Sequence, residues 1–232
     1  MSGPEDLPAR TATDDGGRPD ALPVLEEAGR QLRAPWAASV AGLLFSVMFT
    51  AALVLVRSQV NGGTAAGQST AMVIGGLYLA PFAGIMFLWF VAVIRDQIGE
   101  REDRFFATVF FGSGLLFVGL LFTTAAVVST PTTLVQFLGE EPLSAESMSL
   151  LRGLGYTLLF ALATRAAAVF MLATATIGIK SGVFPRWFAL IGALLGLVLL
   201  VAVSFYDWLI LVLPGWVAVV SLFILRRERA RR

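Results

Sequence analysis

The chain contains no cysteine and no histidine among its 232 residues, and only 14% of them are charged. Without cysteine there are no disulfides, thiolate metal sites, iron–sulfur clusters or CxxC redox pairs. Without histidine there are no Ser-His or Cys-His nucleophile pairs, no histidine-ligated haem and no imidazole proton relay. Carboxylates are missing where they would matter most. No Asp or Glu falls in the middle of a long apolar run, since Asp96 and Asp207 lie at run ends. This argues against a carrier coupled to protons or sodium. It also argues against an embedded acid–base pair or carboxylate metal centre. The expectation is a non-enzymatic protein with no cofactor and no metal, although chemistry by Ser, Lys or Tyr alone stays open.

What is present is apolar. Hydrophobic residues make up 57% of the chain, and the mean hydropathy is +0.80. A soluble domain carries about 25% charged residues. Six continuous apolar segments stand out, at about 36–56, 70–94, 105–128, 150–179, 187–205 and 208–225. Each is near the roughly 20 residues that a helix needs to cross a bilayer. Continuous rather than alternating hydropathy rules out a β-barrel in practice. The expected fold is all-α, a polytopic transmembrane bundle over 34–225, flanked by a tail at 1–33 and a basic tail at 226–232. Residues 1–20, rich in Pro, Gly and Asp, have no signal-peptide pattern and too little apolar surface to order themselves. Residues 23–33 read either as a short juxtamembrane helix or as a solvated lead-in.

Lys and Arg placement orients the bundle. With six spans both tails share a side, and every basic residue except Arg57, Arg152 and Arg165 falls on it. Both termini are therefore expected in the cytoplasm. Trp36 and Trp187 at inner ends, and Tyr206 and Trp208 at an outer turn, sit where interfacial aromatics belong. The longest connection, 129–147, is acidic. Thr130-Pro131 suits a helix start, so "TTLVQFL" reads either as a short interfacial helix or as plain loop. The tail "RRERARR" is a topology anchor or a patch for anionic headgroups. It is too short, and too poor in aromatics, for nucleic acid.

Three motifs carry packing or turn chemistry. "GALLG", 192–196, lets helix backbones approach closely, within the bundle or between copies. Gly75-Gly76 with Pro81, and Pro214-Gly215, are candidate kinks. In "KSGVFPRWFALIG", Gly182 is a candidate helix stop and Pro185 opens the next helix. Arg186 and Trp187 anchor that turn at the headgroup level. The stretches "ATATIGIKSGVFPRWFALIG" and "LPGWVAVVSLFILRR" resemble a group of bacterial, often actinobacterial, multi-spanning membrane proteins of unknown function. These carry a similar Ser-Gly-x-x-Pro-Arg-Trp turn between late spans. The resemblance covers the C-terminal third well and the first half only in layout. It implies a six-helix protein of a bacterial plasma membrane, and it supplies no activity or catalytic residue.

One residue breaks the pattern. Arg165, in "LATRAAAVFML", lies near the centre of the fourth apolar segment. Placing an arginine there costs ~2.5–3.5 kcal/mol on insertion scales, so it is expected to face the bundle or a hydrated cavity. With no carboxylate available, its acceptors are backbone carbonyls, hydroxyls such as Thr164, Thr123, Thr124 or Tyr78, water, or a bound anion. Arg165, Thr164 and Tyr78 thus form a candidate polar site, either structural or anion-binding. The functional expectation is a non-catalytic membrane subunit that binds lipid, a second copy or a protein partner. The alternatives are a transporter or channel for a small anionic or amphipathic solute using Arg165 and, less favoured, a membrane enzyme.

Overall fold

The computed structural model describes residues 35–61, 66–98, 104–180, 184–201 and 207–229. The expectations for the tail at 1–33, for Gly182 and Tyr206, for the side chains of Trp36 and Trp208, and for the end of the basic tail lie outside the described residues. Among the described residues the regular structure is entirely helical. Helices α1 (Pro35–Asn61), α2 (Ala66–Ile98) and α3 (Arg104–Phe137) come first. Helix α4 (Ala145–Tyr156) runs through a π-helical stretch (Thr157–Ala163) into α5 (Thr164–Lys180). Helix α6 is Arg186–Val201, and a 3-10 turn (Asp207–Leu211) leads into α7 (Val212–Arg229). Five helical rods are long and apolar enough to cross a membrane, the α4–α5 rod counting as one, while α6 has only 16 residues. In lipid a backbone must satisfy its own polar groups, and a helix of apolar residues does so internally.

Helix α1 packs on α2, α2 on α3, α3 on α5 and α5 on α6, and α7 returns to pack on α1. Among the described residues this circuit stays open between α6 and α7, whose backbones barely approach each other. At its centre Phe87 of α2 touches Phe45 of α1, Phe117 of α3 and Phe170 of α5, with ring centroids 4.7, 5.2 and 5.0 Å away. Small residues let the helices come this close. A Cβ on Gly42 of α1 would sit 2.1 Å from Ser221 Oγ of α7. The two glycines of "GALLG" are both used inside the chain. Gly192 lies against the Trp216 ring of α7, and a Cβ on Gly196 would sit 3.1 Å from the Ala168 carbonyl of α5.

Two boundary expectations need correction. Residues 132–138 form neither a separate interfacial helix nor a loop, because α3 continues through Pro131 to Phe137. A proline inside a helix removes one donor, which does not force a stop where neighbouring turns hold their bonds. The helix that carries the fourth apolar segment also begins before residue 150, at Ala145. Ser144 caps α4 by accepting the Ser147 N–H at 3.2 Å, and Glu146 sits in the first turn, where the helix dipole favours a negative charge. The other candidate breakers lie within helices as well. Helix α2 runs through Pro81, and Pro214 falls in the first turn of α7, where its missing N–H costs little.

The consequence is an overshoot. Helix α3 has 34 residues, about 51 Å at ~1.5 Å per residue. The α4–α5 rod has 36 residues, about 54 Å by the same rise. The hydrocarbon core is only ~30 Å thick. Both rods are longer than that layer is thick, and α3 and α4 form a hairpin closed at Gly139 with φ +68°. Phe137 and Leu138 are exposed at its tip beside Glu140 and Glu141.

Candidate functional site

Two places could carry function: the surroundings of Arg165 and the open seam between α6 and α7. Arg165 is the second residue of α5, directly after the π-helical stretch. That stretch widens the turn and shifts the face presented below it. Gly155, before it, is buried against Val128 of α3, and Phe160, Ala163 and Thr164 are buried as well. The half-buried guanidinium folds back along its own rod, and Nη1 donates to the Ala161 carbonyl in the π segment. Thr164, only 3% exposed, donates from Oγ1 to the Leu159 carbonyl at 3.1 Å.

The other candidate hydroxyls do not gather around the charge. Thr123 and Thr124 donate to the carbonyls of Gly119 and Leu120, one turn back in α3. Tyr78 lies on the outside of α2, 64% exposed, and does not converge with the buried Thr164. Nearby, a cavity of about 90 Å³ sits between α1, α2, α3 and the π segment. Its wall is apolar apart from Thr124, whose hydroxyl already has an acceptor. A neutral acceptor supplied by its own helix thus accompanies the misfit arginine.

This arrangement sets an expectation for Arg165→Leu. Removing a half-buried charge whose donor bond goes to its own helix leaves no charged partner stranded, and an apolar replacement of similar length is often neutral or stabilising. The variant should insert, and unfold in detergent within about 1 kcal/mol of the parent. A loss above ~3 kcal/mol would instead mean that the guanidinium ties helices together.

The seam is the larger feature. It is a groove of about 990 Å³, lined by Trp187, Phe188, Ile191 and Leu195 of α6 and by Val212, Gly215, Trp216, Val219, Leu222, Phe223 and Arg226 of α7. Aromatic side chains bridge the two helices in place of close backbone packing. Phe188 stacks on Trp216 at 4.7 Å and on Phe223 at 5.6 Å. Trp216 Nε1 is buried with no acceptor. Its indole is therefore held by stacking and by the space over Gly192.

The turn residues singled out in the sequence frame the mouth of this groove. The Pro185 carbonyl accepts the N–H groups of Phe188 and Ala189, so Pro185 opens α6. Arg186 and Trp187 are exposed, and Trp187 lines the groove. Basic groups collect at this end of the bundle. Lys180 Nζ lies 3.9 Å from the Phe106 ring centroid, and Arg95 lies 5.0 Å from that of Phe111. In the sequence Arg226 reads as part of a topology anchor and Pro214-Gly215 as a kink. Only the lack of close backbone approach between α6 and α7, which no local pattern encodes, makes them parts of one groove. No known protein family, curated protein or solved structure matches this chain.

Proposed function

We propose that the protein is a non-catalytic, six-span subunit of a bacterial plasma membrane, with both termini cytoplasmic, that holds a lipid in the seam between α6 and α7. The groove of about 990 Å³ with an apolar wall carries this reading. A channel between transmembrane helices that ring stacking bridges but does not fill is suited to an acyl chain, which loses nothing by leaving other lipid tails. The resemblance of the late spans to bacterial membrane proteins supports the compartment, and the Lys and Arg distribution supports the orientation. Anion transport through Arg165 is less favoured, because its donor bond goes to its own helix and Tyr78 lies outside.

Native mass spectrometry of the protein, extracted in mild detergent, tests the lipid. A bound lipid surviving gentle activation is the expected result, and bare protein under the mildest conditions would refute it. Reporter fusions at positions 67 and 139 test the topology. Both should read outside the cytoplasm, and a cytoplasmic signal at either would overturn the six-span arrangement.

A further inference from the structure

We infer that the lipid in the seam is an anionic phospholipid, with its phosphate at Arg226 and one acyl chain lying along the groove toward Gly215. This rests on the lipid-holding reading and adds the headgroup, the anchoring residue and the leaflet. The groove carries its charge at one end only. Among the described residues Arg226 is its sole charged lining residue, and every other lining side chain is apolar or aromatic. Trp187 lines the same end, exposed beside the exposed Arg186. An interfacial tryptophan beside a basic pair marks headgroup depth, and a cation there attracts a phosphate.

The dimensions agree. From Val212 to Arg226 the α7 wall of the groove runs about 21 Å at ~1.5 Å per residue. One leaflet contributes about half of a ~30 Å hydrocarbon core. A single chain entering beside Arg226 therefore fits the groove lengthwise. The lipid comes from the leaflet facing the C-terminal end of α7. Gly215 forms part of the lining near the far end, and a Cβ built there meets nothing within 4 Å. It leaves open the space that the end of a chain would fill.

The test uses the full chain in nanodiscs of equimolar phosphatidylglycerol and phosphatidylcholine, released into native mass spectrometry. One phosphatidylglycerol retained in preference to phosphatidylcholine is the expected result. Arg226→Gln should lower that preference by roughly fivefold, the factor that one basic residue near an anionic surface supplies, and Arg226→Lys should keep most of it. Arg226 is exposed, so neither change disturbs packing. Gly215→Leu should lower retention of both lipids alike by occupying the groove. Retention without headgroup preference, or a preference unchanged in Arg226→Gln, would overturn the anionic assignment while leaving a lipid in the seam. Retention unaffected by Gly215→Leu, or none in the parent, would overturn the seam reading itself.

Discussion

Phe87→Ala is expected to destabilise the bundle by about 3 kcal/mol, near the lower end of the range for burying-to-cavity changes of this size. Phe87 is 0% exposed, and its ring meets rings from three other helices as well as Phe90 of its own. In a soluble core the cost would combine lost transfer energy with the cavity left behind. In a bilayer the helices part into lipid that is as apolar as the core, so the transfer term largely cancels. What remains is lost dispersion around the void and the loss of several ring–ring contacts, each worth about 0.5–1.5 kcal/mol. Phe82 is the control on the same helix. It is 53% exposed, so Phe82→Ala should shift stability by no more than about 0.5 kcal/mol. Reversible unfolding in mixed detergent micelles measures both. Equal losses at the two positions would mean that the ring cluster does not hold α1, α2, α3 and α5 together.

The second large effect is expected at Gly42, where α1, α2 and α7 meet. A Cβ there would lie 2.1 Å from Ser221 Oγ and 2.8 Å from a carbon of the Phe90 ring. Gly42→Leu must push α7 away from α1, a cost of about 3 kcal/mol or more. It would also strain the nearby inter-helix bond in which Ser46 Oγ donates to the Pro214 carbonyl at 2.8 Å. Gly42→Ala should cost less, and Ser221→Ala should recover part of that loss because the hydroxyl is the nearest obstacle. Ser221 Oγ is buried without an acceptor, so Ser221→Ala alone should be neutral or stabilising. The coupling between the two sites, read from the double-mutant cycle, should be about 1 kcal/mol. Strictly additive effects would show that α7 does not rest on Gly42.

At Arg165 local reasoning reaches part of the way. Counting carboxylates along the chain removes the buried salt bridge, and carbonyl acceptors are among the options that remain. Which carbonyl serves depends on the π-helical stretch, and no residue in "TLLFALA" announces one. Tyr78 enters the candidate site because it lies in an apolar run. Hydropathy gives depth but not direction, and Tyr78 points outward. The same weakness hides the overshoot of α3, where polar Ser129, Thr130 and Thr133 look like loop. Instead Ser129 and Thr130 donate to the Ala126 carbonyl within the helix.

The sequence by itself determined the solvent and the secondary structure. Long apolar runs without alternation can satisfy their backbone in lipid only as helices, and that condition is local to each run. The absence of cysteine, histidine and mid-span carboxylates is equally a property of the chain alone, and it removes most site chemistries. Tertiary structure alone decided the neighbours: Gly42 under Ser221, Gly192 under Trp216, and α6 parted from α7. Lipid-facing and partner-facing surfaces are equally apolar in a bilayer, so hydropathy cannot distinguish them. Only the fit of side chains between particular helices does, and at the α6–α7 seam that fit leaves a groove.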